Sequence, residues 1–333
     1  GLLKGKKEGK TIAVRADIDA LPLEEKTGVN YSSKNNGKMH ACGHDAHITM
    51  VLGAARIMSD YMEELQGNIK FIFQPAEEGA GGAKPMIEEG VLNNPSVNAI
   101  IGLHVSPDIT SGKVGIKKGS MMAASDDFKI IIKGKGAHGA RPHESIDPIV
   151  IGSQVVIALQ ELISREVPPL ESAVLSCGKF QAGTKFNIIP DKTEISGTLR
   201  TLKRDIRKKM KKRMKEIITG TVHSMKGKYN LDFINEFPPL INNEEITDLF
   251  KNTATNILGQ SAIKKIREPD MGAEDFSFFL KEIPGTYFLL GTRNTEKNLV
   301  YPIHNSCFNI DENILSTGVE LFCDFTYRCL NIY

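Results

Sequence analysis

The chain has 333 residues, enough for two domains of ordinary size. Hydrophobic residues make up 41% and charged residues 25%, a globular composition that excludes a disordered chain or a fibrous repeat. A net charge of +2, from 42 basic and 40 acidic side chains, supplies no global field for nucleic acid or lipid.

The first hundred residues alternate strand and helix signals. Thr11 to Ala16 reads as a buried strand. His47 to Leu65 reads as a helix, with apolar residues at Ile48, Val51, Leu52, Ala55 and Met62. Asn68 to Phe73 is a strand followed by a Pro-Ala-Glu-Glu-Gly loop. Ala83 to Glu89 is a short helix stopped by Gly90, and Val97 to Val105 is a further apolar strand that closes on His104. This alternation predicts a layered α/β domain with a central, mostly parallel sheet.

The pattern changes near residue 120. Asp126 to Lys133 is a strand, and Ser145 to Glu166 a long helix with Asp147 and Pro148 in its first turn. Strands follow at Ala173 to Phe180 and Thr193 to Thr201, then a helix from Leu202 to Thr221 and a strand from Tyr229 to Phe237. The order β-α-β-β-α-β is that of a ferredoxin-like unit. Gly119-Ser120 and Pro238-Pro239 are the expected crossing points. Helices are expected from Asn243 to Leu258, Ala273 to Lys281 and Asp311 to Leu330, with a strand from Thr286 to Leu290. The predicted organisation is a larger domain of residues 1–119 and 239–333, interrupted by a smaller one of residues 120–238. No run of about 18 apolar residues predicts a membrane span. The five cysteines are odd in number and scattered, which argues against a disulfide framework and predicts a reducing, cytoplasmic compartment. The opening residues show no secretory pattern, and Gly1 followed so soon by a strand reads as a start inside a longer architecture.

The densest chemistry lies in Met39-His40-Ala41-Cys42-Gly43-His44-Asp45-Ala46-His47. Cys42 and His44, two apart, point the same way if that segment is extended, and thiolate with imidazole suits zinc and related cations. The plainer reading is a helix N-terminus with a buried cysteine. Glu77 and Glu78 follow an apolar strand; one can bind a cation while the other moves protons, or both are a solvated acidic loop. His104 and His304 by themselves read as a core and a surface histidine. All of these positions fall at the junctions where α/β sheets bind ligands. Cys42, His44, Glu78, His104 and His304 are more ligands than one ion needs. Two cations about 3.5–4 Å apart would use them all. An N, S, O set favours zinc, manganese, cobalt or nickel over magnesium.

The sequence resembles the hippurate hydrolase and N-acyl-amino-acid amidohydrolase family, which includes plant indole-acetyl-amino-acid hydrolases, within the di-metal aminoacylase and aminopeptidase clan. The resemblance is carried by Arg-Ala-Asp-Ile-Asp-Ala-Leu-Pro (15–22), the 39–47 cluster, Phe-Gln-Pro-Ala-Glu-Glu-Gly (73–79), Gly-Leu-His (102–104) and Gly-Ala-His-Gly-Ala-Arg-Pro-His (136–143). It continues through Asn-Ile-Ile-Pro-Asp (187–191), Gly-Thr-Leu-Arg-Thr (197–201), Met-Gly-Ala-Glu-Asp-Phe (271–276) and the region of His304. It implies a di-metal peptidase-type α/β catalytic domain with an inserted ferredoxin-like lid and dimerisation domain. It also implies two divalent cations held by Cys42, His44, Glu78, His104 and His304, with Glu77 as general base. Asp17 would orient a ligand. His138 would approach the substrate carbonyl, often from a neighbouring subunit, and Asn187 and Arg200 would lie near the substrate carboxylate. The implied reaction is hydrolysis of an N-acyl-L-amino acid, hippurate-like or N-acetylated, to a carboxylic acid and a free amino acid. The strand and helix edges expected on the small domain suit self-association and predict a homodimer.

Two alternatives stay open at this stage. Cys42 could be a nucleophile with His44 as base, although no oxyanion-hole signature accompanies it, and insensitivity to chelators would reveal it. The chain could also be a non-catalytic binding protein of the same fold, revealed by lack of turnover on hippurate and N-acetyl amino acids. The basic run from Arg207 to Lys215 reads as a solvated helix face rather than a nucleic-acid surface. His40 and His47 read as structural, and His143 as local hydrogen bonding or an interface group.

Overall fold

The computed structural model describes residues 1–79 and 81–332. In chain order the elements are β1 (Leu2–Lys4), β2 (Lys7–Asp17), α1 (His44–Asp60), β3 (Gln66–Gln74), α2 (Ala83–Glu88), β4 (Ala99–Thr110) and β5 (Val114–Ile116). Next come β6 (Gly119–Met122), β7 (Ala124–Lys133), β8 (Ala137–His138), α3 (Pro148–Glu161), β9 (Ala173–Ala182), β10 (Ile188–Ile189), β11 (Lys192–Thr201), α4 (Arg204–Ser224) and β12 (Lys228–Phe237). The chain ends with β13 (Leu240–Asn242), α5 (Glu244–Leu258), β14 (Ile263–Lys265), α6 (Ser277–Glu282), β15 (Gly285–Arg293) and α7 (Ile314–Ile332). No helix among the described residues is long and apolar enough to cross a membrane.

Two compact units form. The first contains residues 1–121, 241–269 and those from Asp275 on; the second contains residues 122–240 with 270–274. The short return of 270–274 to the second unit has a local cause: Ala123 N donates to both Asp270 O (3.0 Å) and Gly272 O (2.9 Å).

The first unit is built on a seven-stranded sheet in the order β1-β3-β2-β4-β15-β5-β14. Its centre is parallel, β3 with β2, β2 with β4 and β4 with β15, while β1 meets β3 and β5 meets β15 antiparallel, and β14 joins β5 parallel at the edge. Strands covered on both faces read as unbroken apolar runs; β2 is buried from Thr11 to Asp17 and β4 almost throughout. Helix α1 buries His44, His47, Val51, Ala54 and Met58 on one stripe, the three-and-four spacing of a helix face. It packs against α7 where Gly318 leaves room, since a Cβ there would collide with Met50 Sδ.

The second unit has a four-stranded antiparallel sheet, β12-β7-β11-β9, with α3 and α4 contributing to its core. In chain order β7, α3, β9, β11, α4 and β12 make a βαββαβ unit. Helix α4 buries Ile206, Met210, Met214, Ile218 and Val222 at a strict spacing of four. Three of its basic residues pair with acids: Arg207 forks onto Asp126, Arg213 onto Glu166, and Lys211 pairs with Asp126 and Glu236.

Several boundaries differ from the sequence reading. Helix α1 starts three residues early, at His44, because Gly43 turns the chain. Helix α3 starts at Pro148, since the Asp147 carboxylate accepts from Ile149 N and Val150 N. It passes into a π-helical turn over Leu162–Glu166. The helix expected from Ala273 begins only at Ser277, because the Asp275 side chain is taken by three distant donors described below.

Candidate metal centre

Seven of the sequence-predicted site residues meet at the carboxyl edge of the first unit's sheet. Cys42 and His44 do not lie on an extended segment, as their spacing suggested. Gly43 between them sits at φ 83° as the N-cap of α1, and His44 is the first helical residue. The two side chains converge across a tight turn.

His104 does not end its strand either. Strand β4 runs on to Thr110, but its pairing with β2 stops at Arg15↔Gly102. His104 lies just past the point where its neighbour ends, so an interior strand residue reaches the ligand-binding edge. Its Nδ1 donates to Val105 O at 2.7 Å, which leaves Nε2 as the acceptor nitrogen, 3.3 Å from Cys42 Sγ.

Glu77 and Glu78 follow the end of β3 through Ala76, held at φ 58°. His304 is also in the left-handed region, at φ 61°, and its N–H donates to Ala41 O at 2.8 Å. Non-glycine residues in that region cost about 1–3 kcal/mol each and persist where surrounding structure imposes them. The tie from His304 to Ala41 carries a late segment onto the Cys42 turn and places His304 Nε2 3.2 Å from Glu78 Oε1. His44 Nε2 is 3.9 Å from the same carboxylate oxygen.

The donor atoms form overlapping sets. Those of Cys42, His44 and His104 lie within 4.8 Å of one another, and so do those of Cys42, Glu78 and His304, and of His44, Glu77 and Glu78. Cys42 is common to the first two sets, and Glu78 links the second to the third.

A layer of buried polar groups surrounds them, and the sequence reading assigned most of it no role. Asp19 accepts from His44 Nδ1 (3.2 Å) and, through its other oxygen, from Glu78 N (3.0 Å), so one carboxylate fixes two donors. Asp17, expected to orient a ligand, makes its short contact with His47 Nδ1 (2.5 Å); its distance to His44 Nε2 is 3.8 Å. Arg15 is fully buried and donates to Asp17 (2.8 Å), Gln74 (2.9 Å) and Asp275 (2.9 Å). Asp275 also accepts from Gln74 Nε2 and Ala83 N, while its own N–H reaches Glu77 Oε1 at 3.4 Å. The signal for Asp19 and Arg15 lay in the Arg-Ala-Asp-Ile-Asp run, and that for Asp275 in Met-Gly-Ala-Glu-Asp-Phe.

The electrostatics follow from burial. Burial pushes the Cys42 thiol up, and the Glu78, Glu77 and Asp17 carboxylates push it further. For Asp17, burial alone would raise the carboxyl, but the His47 ring and the Arg15 guanidinium outweigh it and hold it well below the usual range. For Asp19 burial is likewise outweighed, by the His44 hydrogen bond and the Glu78 N–H. Burial brings His47 down to about 4 against the pull of Asp17. The donor set therefore fits divalent cations. It concentrates soft and borderline donors beside carboxylates, and a cation would reverse the upward push on the thiol.

His138, Asn187 and Arg200 belong to the second unit. His138 is exposed on β8, and its Nδ1 accepts from Ala140 N. Asn187 O accepts from Gly139 N at 2.9 Å, which brings that pair of segments together. Arg200, on β11, donates to Thr198 Oγ1.

The model of Peptidase family M20/M25/M40 matches residues 13–328, nearly the whole chain and every residue named above. The chain belongs to that family. It is a hydrolase acting on amide bonds. Among its relatives, thermostable carboxypeptidase 1 of Saccharolobus solfataricus is 44% identical over 321 residues, 96% of this chain and 80% of that protein. N-acetyl-L-cysteine deacetylase of Bacillus subtilis is 43% identical over 329 residues, 99% of this chain and 77% of that protein. The solved Bacillus subtilis YXEP protein, described as a dinuclear metal-binding peptidase from the M20 family, superposes with a TM-score of 0.85 at 34% identity. That match covers 100% of this chain and 84% of the YXEP chain.

Proposed function

We propose that this chain is a metal-dependent amidohydrolase of N-acyl-L-amino acids, hippurate-like or N-acetylated, releasing a carboxylic acid and a free amino acid. The observation that carries the reading is the pair of overlapping donor sets sharing Cys42, with Glu77 beside Glu78 and His44. The deacetylase and the dinuclear relative support it in substrate class and in metal content. When bound, two divalent ions such as zinc, manganese, cobalt or nickel would supply Lewis acidity to a carbonyl and lower the pKa of water. Cys42, His44, Glu78, His104 and His304 would hold them.

Glu77, one residue beyond the Ala76 turn, is the general base: its carboxylate takes a proton from the attacking water and returns it to the leaving nitrogen. Asp275 N–H, bonded to Oε1, helps orient that carboxylate. By the resemblance, His138 would approach the carbonyl oxygen, often from a neighbouring subunit, and Asn187 and Arg200 would lie near the substrate carboxylate. A buried thiol pushed upward is the opposite of an activated nucleophile, which favours Cys42 as ligand over Cys42 as attacking group.

The second unit supports a homodimer: edge strand β9 is largely exposed, as are Ile149, Val150 and Ile157 on α3. The five free cysteines support a reducing, cytoplasmic setting.

The test is Glu77→Gln with hippurate and N-acetyl amino acids as substrates. Metal content should stay at the wild-type level while turnover falls by about 10²–10⁴-fold. A variant with near-normal turnover refutes the base assignment. Cys42→Ala should lose bound metal by elemental analysis, and unchanged content refutes the ligand set.

A further inference from the structure

His47 is fully buried, and its ring lies 5.4 Å from that of His44 and 4.8 Å from that of His104, between centroids. With Asp17 and His44 it forms a group whose donor atoms lie within 4.8 Å, so proximity alone would make it a fourth imidazole ligand beside His44, His104 and His304. Its hydrogen bonds say otherwise. Nε2 accepts from Val105 N at 3.0 Å, so Nε2 carries no proton. Nδ1, 2.5 Å from Asp17 Oδ1, must carry the proton and donate it. Both ring nitrogens are committed.

Val105 explains what this achieves. The β2–β4 pairing ends at Arg15↔Gly102, so Val105 has no partner in β2. A buried peptide must still place its N–H and C=O. The N–H goes to His47 Nε2, and the C=O accepts from His104 Nδ1 at 2.7 Å. A single residue, through the two peptide groups that flank its Cα, therefore joins the two histidines. Asp17 anchors the far end, itself held by Arg15 at 2.8 Å with both side chains wholly inaccessible.

We infer that His47 is a positioning residue and not a ligand: with Asp17 it fixes the backbone of Val105, and through that residue's carbonyl the Nδ1–H form of His104 and the aim of its Nε2 at Cys42. The inference rests on the metal-centre reading above and adds a part to it. Outer partners that orient a metal-binding histidine typically change affinity by about 10–100-fold when removed.

The two amide isosteres of histidine separate this role from a packing role. A glutamine places its amide near the Nε2 position and can still accept from Val105 N. An asparagine places it near Nδ1, keeps Asp17 and leaves Val105 N unanswered. The experiment titrates cobalt(II) into metal-free wild type, His47→Gln, His47→Asn and Cys42→Ala, following the cobalt–thiolate absorption band, with thermal melts of each. The expected result is binding on the order of 10-fold weaker or more in His47→Asn, with His47→Gln much closer to wild type and no thiolate band in Cys42→Ala. In parallel, ¹⁵N-histidine NMR of the metal-free wild type should show His47 and His104 both protonated at Nδ1. Equal affinity for wild type and His47→Asn, or an Nε2–H form of either ring, overturns the positioning role and leaves the metal centre standing. Failure of wild type to give the thiolate band overturns the metal centre and the positioning role together.

Discussion

Gly43→Ala tests the turn that joins Cys42 to His44. Gly43 sits at φ 83°, a conformation that costs an L-residue about 1–2 kcal/mol. A Cβ there would also overlap Val105 Cγ2 well inside van der Waals contact, while the nearest Phe308 atoms lie at an ordinary 3.7 Å. Val105 is buried in the first core and cannot swing away, so overpacking adds about 1–3 kcal/mol. The expected destabilisation is about 2–5 kcal/mol, a large share of a typical folding free energy of about 5–15 kcal/mol. It is read as a shift of the urea midpoint at unchanged slope. The contribution of the clash can be isolated with Val105→Ala. Alone, that change opens a cavity and destabilises the fold. In the Gly43→Ala background it removes the colliding methyl and should cost almost nothing or restore stability. The coupling between the two sites should be about 1–3 kcal/mol. Additivity within about 0.5 kcal/mol would refute the steric argument and leave backbone strain as the whole effect.

Arg15→Met should destabilise the first unit by about 3–5 kcal/mol, because it strands the carboxylates of Asp17 and Asp275 in a site without solvent. Arg15→Lys should not rescue it, since a single ammonium cannot fork onto Asp17, Gln74 and Asp275; denaturation midpoints within about 1 kcal/mol of wild type would contradict this. The metal-free protein should lose stability as pH falls from about 6.5 to about 4. His47 is ordinarily half-protonated near 6.5 and is brought to about 4 in the fold, so across that window the unfolded chain binds a proton that the native chain does not. The sign makes stability full above the upper value, with a loss on the order of 3 kcal/mol by the lower one. A His47→Gln variant with the same acid slope as wild type would exclude His47 as the source.

Legibility in the sequence followed burial and length. Strands β2, β3, β4 and β15 showed through because sheet faces covered on both sides demand unbroken apolar runs. The three-residue strands β1, β5 and β14 are too short to carry a period and were missed. The proposed donor residues stand out by type, as Cys42, His44, Glu78, His104 and His304 are unusual choices at sheet edges. Their local geometry does not. Neither the left-handed turn at Gly43 nor the continuation of β4 past His104 leaves a pattern in spacing alone. Asp19, Arg15 and Asp275 were harder still, because their meaning lies in partners 25 to 260 positions away. His47 was read as structural from its place beside the cluster, and only its two hydrogen bonds show what it holds in place.

Strand β15 lies inside the sheet, between β4 and β5, and His304 follows it. During synthesis the ribosome therefore delivers four of the five proposed ligands long before the strand that completes their platform. Until that strand has emerged, the growing chain has a gap in its central layer, and until residue 304 is out it lacks the last donor. On the proposed ligand set, ion loading would follow the release of that loop, and a translation product halted anywhere before it should leave the ribosome without a finished grip on a metal.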